Sequence, residues 1–268
     1  MNPTPTPLTL PDGVQIHPLG AGTTPRRRGL DGPLAAELTA ALAASPRGEV
    51  AVRSADLSVP LLERNDILAE RNRGYFLGRG LTALNLVSSP GAGKTTLLER
   101  TLDEFGRHTR CAVLVGDLET DNDGRRLQRA HAPVAQITTG TVCHLDAAMV
   151  ARAAESIDLA GVRVLFIENV GNLVCPASFD LGEQVRVVLL ACTEGEDKPL
   201  KYPPIFKSAD LVLLTKVDLA DAIGFSRRTA VENIRRIAPQ ARLIELSARS
   251  GEGLPEWYDF LQHRIASD

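Results

Sequence analysis

Judged by residue type and spacing, two groups of residues in this sequence could bind a ligand or take part in a reaction. The first is the glycine-rich run SSPGAGKTT, Ser88–Thr96. Glycines let successive backbone N–H groups converge on phosphate oxygens, and a following helix adds the positive end of its dipole. Lys94 is expected to reach the β- and γ-phosphates, and the Thr95 hydroxyl to bind Mg²⁺. Ser88 replaces the first glycine of the usual pattern. The predicted phosphate-binding residues are Ser89, Pro90, Gly91, Ala92, Gly93, Lys94, Thr95 and Thr96.

Two later segments indicate which base the nucleotide carries. Thr215-Lys216-Val217-Asp218 resembles the [NT]KxD guanine motif, but threonine replaces the usual asparagine, which leaves the bracing by that position open. The Asp218 carboxylate can accept hydrogen bonds from guanine N1–H and the 2-amino group, a donor pair that adenine lacks. Ser247-Ala248-Arg249 resembles the SAK base loop, although an ordinary strand exit would look the same. The sequence therefore predicts GTP, with Lys216, Asp218, Ser247 and Ala248 around the guanine.

Acidic residues end two apolar runs between these segments. Asp117 ends VLVGD, and Glu168 ends VLFIE and begins ENVG, which occupies the place of the DxxG switch motif. Such positions suit Mg²⁺ ligands, so Thr95, Asp117 and Glu168 are the predicted Mg²⁺ site, although helix capping or solvent exposure would also explain the two acids. Asp121 and Asp123 are weaker candidates in a predicted switch loop. The predicted catalytic residues are Lys94, Asp117, Glu168 and Gly171.

The predicted reaction is hydrolysis of GTP to GDP and phosphate. Gly171 is placed to donate its N–H to the γ-phosphate and so to sense hydrolysis. No glutamine follows Gly171, where Asn172 stands, and no arginine finger is evident. Because this chemistry depends on positioning and charge neutralisation, turnover by the isolated chain is expected to be slow.

The second group of chemically capable residues is Cys143, His144 and Cys175. Cys143 and His144 are adjacent, and Cys175 lies four residues beyond Gly171. Two thiolates and an imidazole suit Ni²⁺, Zn²⁺ or Co²⁺ better than Mg²⁺, and three ligands leave a position open. Cysteines are also common as small core residues, which is the alternative for this group and the prediction for Cys111 and Cys192.

Seven apolar runs must position these groups. They begin at Leu81 and read LTALNLVSS, CAVLVGD, AQITTG, GVRVLFIEN, VRVVLLACT, ADLVLLTKVD and ARLIELSA. Short, nearly unbroken runs rich in Val, Leu and Ile are typical of strands buried on both faces of a parallel sheet. The predicted fold class is α/β: a doubly wound, mostly parallel P-loop GTPase domain over 80–268.

The amino-terminal part differs in composition. Eight of the 17 prolines lie between Pro3 and Pro46, and Arg26–Arg28 is a basic run. Residues 1–30 are therefore predicted to be a disordered Pro/Arg-rich tail. Helical patterns over 33–45 and 60–79 predict a helical extension over 31–79.

Composition and charge narrow the function classes. The net charge of -3 gives no reason to expect nucleic-acid binding. No apolar run approaches the roughly 20 residues that span a bilayer, and the amino terminus lacks the pattern of a secretion signal. We therefore expect a cytoplasmic protein with reduced thiols and no membrane partner.

Four segments together resemble the HypB family of hydrogenase nickel-incorporation GTPases: LNLVSSPGAGKTTLLERTL, TTGTVCHLDAAMV, IENVGNLVCPASFDLGE and LLTKVDL. The resemblance covers about residues 60–268. It implies a SIMIBI-class P-loop fold, whose members often form homodimers across the nucleotide face. It also implies a GTP-dependent accessory protein that helps deliver Ni²⁺ to the [NiFe]-hydrogenase large subunit, with a HypA-type zinc/nickel chaperone as partner. The family's metal site maps onto Cys143, His144 and Cys175, where Zn²⁺ could also bind.

The chain departs from some family members, and two other functions stay open. It has no CxxCGC motif or histidine-rich stretch near the amino terminus, because no cysteine precedes Cys111 and His17 is the only histidine among the first 100 residues. We therefore expect no tight amino-terminal nickel site. A urease-type nickel GTPase is one alternative, although its motif is Cys-x-His. The other is a GTP-switched docking scaffold whose thiols are structural.

Overall fold

The computed structural model describes residues 7–10, 13–19, 55–118, 122–128 and 132–267. The predicted helix over 33–45, the Arg26–Arg28 run and Asp121 lie outside these ranges. The strands are β1 (Leu8–Thr9), β2 (Gln15–Leu19), β3 (Thr82–Ser88), β4 (Cys111–Asp117), β5 (Val134–Thr138), β6 (Val164–Glu168), β7 (Val185–Ala191), β8 (Leu211–Thr215) and β9 (Arg242–Glu245). The α-helices are α1 (Ala55–Gly78), α2 (Lys94–Glu104), α3 (Asn122–Gln128), α4 (Ala147–Glu155), α5 (Lys198–Lys201), α6 (Pro203–Lys207), α7 (Arg227–Ile237) and α8 (Leu254–Ser267).

All described strands form one sheet in the order β1-β2-β5-β4-β6-β3-β7-β8-β9. Strands β3 to β9 are those predicted from the seven apolar runs, and they pair in parallel. Neighbouring residues on β3 face opposite sides: Leu84 belongs to the apolar core that includes α2 and α8, and Ala83 to the core that includes α1 and α4. Helices therefore cover both faces, and the predicted doubly wound α/β fold is confirmed.

The amino-terminal segment corrects one prediction. Residues 8–9 and 15–19 were expected to be disordered, but they form β1 and β2, which extend the sheet antiparallel to β5. Leu10, Val14 and Ile16 are buried, and Ile16 lies opposite Ile137. Burial of these alternating apolar side chains favours the strand, and the high proline content of the surrounding segment hid that local pattern.

Strand β2 should contribute measurably to the stability of the fold. Ile16 is fully buried, so Ile16→Ala is expected to lower the free energy of unfolding by about 2–4 kcal/mol through lost burial and a cavity. Leu8, on the adjoining strand β1, is 42% exposed, and Leu8→Ala should change stability by less than about 0.5 kcal/mol. Denaturant unfolding of both variants measures the difference, and equal stabilities would contradict the docking of β2.

Candidate functional site

A cavity of about 440 Å³ lies at the carboxyl ends of the parallel strands, where α/β folds of this type bind ligands. Loops that follow β3, β4, β6 and β8 converge on it. Its lining residues are Pro90, Gly91, Gly93, Lys94, Thr95, Thr96, Gly116, Asp117, Leu118, Asp123, Arg126, Glu168, Asn169, Val170, Gly171 and Lys216. Most of the predicted phosphate-binding and all of the predicted catalytic residues are therefore brought together.

The predicted phosphate loop has the backbone that its glycines allow. Gly91 and Gly93 adopt left-handed φ angles of 76° and 99°, which other residues rarely adopt. Lys94 begins α2 and is buried, and its Nζ lies 2.9 Å from Ser88 Oγ. Burial lowers the pKa of Lys94, because a charged ammonium loses hydration there. An anion in the cavity would compensate that lost hydration.

The predicted Mg²⁺ ligands lie beside this loop. Thr95 Oγ1 donates to Glu168 Oε1 at 2.7 Å, and both side chains are buried. The second carboxylate oxygen, Oε2, is buried and has no hydrogen-bond partner among the described residues. Asp117 lines the same cavity. An orphaned carboxylate oxygen, a hydroxyl and a second carboxylate are hard oxygen donors, and they fit Mg²⁺.

The environment of Glu168 predicts a pH dependence of stability in the metal-free, nucleotide-free protein. Burial raises the pKa of Glu168 to about 7, from an ordinary value of 4.5. A carboxyl with a raised pKa stabilises the fold fully below pH 4.5 and loses that contribution as pH rises to about 7. The loss is on the order of 3 kcal/mol. Between pH 4.5 and about 7, the free energy of unfolding of the wild type should therefore fall relative to that of Glu168→Gln, as measured by denaturant unfolding. Parallel changes of the two free energies with pH would contradict the raised pKa of Glu168.

The two predicted base-binding segments lie next to each other. Val217 N–H donates to Leu246 O at 3.4 Å, which joins the loop after β8 to the loop after β9. Lys216 has a left-handed φ of 59° and lines the cavity. Asp218 is exposed and available to a base, whereas the Ser247 side chain is buried and accepts backbone N–H bonds within its own loop. Asp218, Ser247 and Ala248 are not among the lining residues of the cavity.

The threonine that replaces the usual asparagine still braces the phosphate loop. Thr215 Oγ1 donates to the backbone oxygen of Ala92 at 2.8 Å, and it lies 3.5 Å from Leu190 O. Both contacts are buried. The substitution therefore retains a hydrogen bond between the end of β8 and the phosphate loop, which answers the question that the sequence left open.

The structure also brings the predicted thiol–imidazole group together. One ligand atom from each of Cys143, His144 and Cys175 can be chosen so that all lie within 4.8 Å of one another, and the two Sγ atoms are 3.1 Å apart. His144 stacks on Phe179 with ring centroids 3.9 Å apart. Its Nδ1 is buried without a hydrogen-bond partner among the described residues, and burial lowers its pKa. A neutral imidazole and two close thiols fit a soft divalent cation.

The other two cysteines are core residues, as predicted. Cys111 and Cys192 are buried, and all four cysteines are free thiols. Burial raises the pKa of Cys111 to about 12 and that of Cys192 to about 11, so both thiols stay protonated. They are poor metal ligands in this state.

Two asparagines connect the cavity to the thiol–imidazole group. Asn169, which lines the cavity, accepts from Leu145 N–H at 3.1 Å and donates to Asn85 Oδ1 at 3.2 Å. Asn172 donates to the backbone oxygen of Cys143 at 3.3 Å. The segment that follows β6 is therefore hydrogen-bonded to residues on both sides of His144. Neither role was predicted from the sequence. For Asn169, a polar residue directly after the fully buried strand β6 was an available signal.

The same segment touches the phosphate loop at Gly171. A Cβ atom at this position would lie 3.0 Å from Pro90 Cα, so only glycine fits without displacing the loop. Arg126 is a further lining residue that sequence reasoning missed: its guanidinium contacts Glu99 at 2.5 Å and Thr96 at 3.3 Å. Asp123, a weaker candidate, also lines the cavity.

Comparisons with known proteins agree with this arrangement. Residues 82–245 match the family model described as CobW/HypB/UreG, nucleotide-binding domain. The hydrogenase maturation factor HypB of Azotobacter chroococcum mcd 1 is 49% identical over 212 residues, which cover 79% of this chain and 70% of that protein. The chain belongs to the HypB family. HypB proteins are named as hydrogenase maturation factors.

Two solved HypB structures have the same fold. HypB from Archaeoglobus fulgidus is 39% identical, with a TM-score of 0.72 and coverage of 76% of this chain and 99% of that one. HypB from Helicobacter pylori in complex with nickel is 38% identical, with a TM-score of 0.72 and coverage of 76% and 96%. Among the described residues, no helix is long and apolar enough to cross a membrane.

Proposed function

We propose that this chain is a GTP-hydrolysing nickel metallochaperone that assists nickel insertion into [NiFe]-hydrogenase. The observation that carries the proposal is the position of the thiol–imidazole group. Cys143, His144 and Cys175 come within 4.8 Å of one another, and hydrogen bonds join their segments to the wall of the predicted nucleotide cavity. A cation site and a phosphate site that share one segment suit nucleotide-controlled release of a metal.

In this proposal the cavity holds the phosphates of GTP. The backbone of Ser89–Thr96 would surround the phosphates, and Lys94 would pair with the terminal ones. Mg²⁺, held by Thr95, Asp117 and Glu168, would neutralise charge on the phosphates. Lys216, Asp218, Ser247 and Ala248 would surround the guanine, with the exposed Asp218 carboxylate reading its N1–H and 2-amino group. Arg126 lines the cavity, but its guanidinium is paired with Glu99 and would not be free to neutralise charge on the transferred phosphate. Hydrolysis would therefore be slow without a partner.

Nickel is the cargo of the second site. Cys143, His144 and Cys175 would supply two thiolates and a neutral imidazole, a donor set that binds Zn²⁺ as well. The two cysteines are partly exposed, and three protein ligands leave at least one position open. Such a shell can pass its cation to another protein more easily than a closed four-ligand site can.

The segment after β6 would transmit the state of the nucleotide. Gly171 would donate its N–H to the γ-phosphate, and its contact with Pro90 makes it sensitive to the position of the phosphate loop. Movement of this segment would change the hydrogen bonds of Asn169 and Asn172 to the Cys143–Leu145 segment. Cys175 would move with the same segment, so both thiolates would respond to hydrolysis.

The proposal includes partners and a place of action. A HypA-type nickel chaperone would exchange metal with this chain, and the large-subunit precursor of [NiFe]-hydrogenase would receive it. A homodimer that forms with nucleotide or metal is part of the proposal, because a second copy could complete the open coordination position. The free thiols fit the reducing cytoplasm.

Complementation tests the proposal. A host that makes [NiFe]-hydrogenase and urease but lacks its own HypB should regain hydrogenase activity with this chain, and should not regain it with the Cys143→Ala, Cys175→Ala double variant. Cys192→Ala is the matched control, because that thiol is buried in the core and does not belong to the thiol–imidazole group. Restoration of urease alone would favour the urease-type reading, and full hydrogenase activity of the double variant would favour the docking scaffold.

A further inference from the structure

Helix α1 carries two buried asparagines on one side. Asn65 and Asn72 are 4% and 6% exposed, and their separation of seven residues places them on the same face, two turns apart. Neither residue belongs to the nucleotide cavity. A buried amide needs hydrogen-bond partners, so what these side chains bind determines what the helix holds in place.

Both asparagines bind the backbone of the two ligand-bearing segments at once. Asn65 accepts from Ala147 N–H at 2.9 Å and donates to Asp180 O at 2.8 Å. Asn72 donates to Ala147 O at 2.8 Å and to Leu181 O at 3.0 Å. Ala147 lies three residues after His144, and Asp180 lies five residues after Cys175. The same two side chains therefore fix the distance between the segment of Cys143 and His144 and the segment of Cys175.

Neighbouring contacts make this connection stiff. Arg73 pairs with Asp180 at 2.5 Å, and its guanidinium also donates to Glu183 O. Gly182 has a left-handed φ of 86°, and a Cβ there would lie 2.5 Å from Ala69 O. The loop that contains Gly182 therefore lies so close to α1 that only glycine fits at this position. Phe179, directly before Asp180, stacks on the His144 ring. A shift of Asp180 would thus reach the imidazole.

We propose that Asn65 and Asn72 are positioning residues of the metal site, which make α1 the element that sets the spacing of its ligands. This inference rests on the proposed function, since it requires Ni²⁺ to bind through Cys143, His144 and Cys175. Residues that orient metal ligands without touching the metal typically change affinity by about 10- to 100-fold when they are replaced. Loss of the asparagine bonds lets the two segments separate, which weakens the metal–thiolate bonds and changes their geometry.

The test uses the full chain with Ni²⁺ alone, and with Co²⁺ as a spectroscopic probe of thiolate geometry. Asn65→Ala and Asn72→Ala should each weaken Ni²⁺ binding about 10-fold or more and shift the thiolate-to-Co²⁺ charge-transfer bands. Binding of GTP should stay within about twofold of the wild type, because neither asparagine lines the cavity. Phe76→Leu is the matched control: it loosens a fully buried residue of the same helix and leaves the asparagines intact.

Asn65→Asp keeps the experiment informative if the alanine variants do not fold. Its carboxylate still accepts from Ala147 N–H but cannot donate to Asp180 O, so the same spectral shift is expected. Unchanged spectra and affinities in the asparagine variants, or losses equal to that of Phe76→Leu at matched thermal stability, would overturn the inference. Failure of the proposed function looks different, because the wild type would then bind Ni²⁺ no more tightly than the Cys143→Ala, Cys175→Ala double variant.

Discussion

Replacing Cys175 by alanine should weaken Ni²⁺ binding at least about 100-fold, because it removes one of three protein ligands and leaves the Cys143 thiolate without its neighbour at 3.1 Å. The side chain is partly exposed at the start of a short 3₁₀ turn, Cys175–Ser178, so its loss should cost little stability. Equilibrium competition with a chromophoric chelator measures the affinity. The same variant should bind GTP as the wild type does.

Cys192→Ala is the control for loss of a thiol as such. That residue is buried in the core near β7 and β8, and the variant should keep wild-type nickel affinity. A Cys175→Ala protein that binds Ni²⁺ as tightly as the wild type would remove the thiol–imidazole group as the metal site. Equal losses in the two cysteine variants would point to a general effect on folding.

Replacing Lys94 by methionine should weaken the binding of GTP and leave the binding of Ni²⁺ unchanged, which is the opposite of the result expected for Cys175→Ala. The methionine keeps most of the length of the side chain but removes the ammonium, which is buried beside Ser88 at the amino terminus of α2. Charge-assisted hydrogen bonds to phosphate are lost, so the affinity for GTP should fall by about 3 kcal/mol, roughly 100-fold. Nickel affinity without nucleotide should not change. Isothermal titration with GTP and then with Ni²⁺ measures both quantities.

Lys201→Met is the matched control, because the Lys201 side chain is 62% exposed and forms a surface ion pair with Asp197. It should bind GTP as the wild type does. If Lys94→Met retained full affinity for GTP, the glycine-rich run would be no phosphate loop. Lys94→Met should lose affinity for GTP and keep its affinity for Ni²⁺, and Cys175→Ala should show the reverse. The two variants together should therefore show that the two sites are separate.

Regular features of the fold could be predicted because they depend on local patterns. Strands β3 to β8 are almost wholly buried, and their apolar runs are distinct in the sequence, as is the run of the less buried edge strand β9. The turn at Gly91 and Gly93 needs left-handed backbone angles, and the glycines in the sequence indicate them because glycine adopts such angles readily. By contrast, β2 lies in a proline-rich segment in which the buried apolar residues are Leu10, Val14 and, within the strand itself, Ile16. An average over the composition of that segment does not reveal these few residues.

Connections between distant residues could not be predicted in the same way. Asn65, Asn72 and Asn169 act through backbone atoms far along the chain, such as Ala147 N–H and Leu145 N–H. A backbone partner leaves no sign in the sequence, because any residue type supplies the same N–H group. The proposed ligands Cys143, His144 and Cys175 could be selected from their residue types, and the structure brings them together. The hydrogen bonds around them appear only in three dimensions.

The most direct test of the account compares the Ni²⁺ dissociation constant of the wild type with GDP and with a non-hydrolysable GTP analogue, each with Mg²⁺. If the segment after β6 carries the state of the γ-phosphate to the thiolates, the two constants should differ by about 10-fold, within the usual range of coupling between sites. The difference should shrink in Asn169→Ala, which removes the bond to Leu145. Identical Ni²⁺ constants in the two nucleotide states of the wild type would contradict the account.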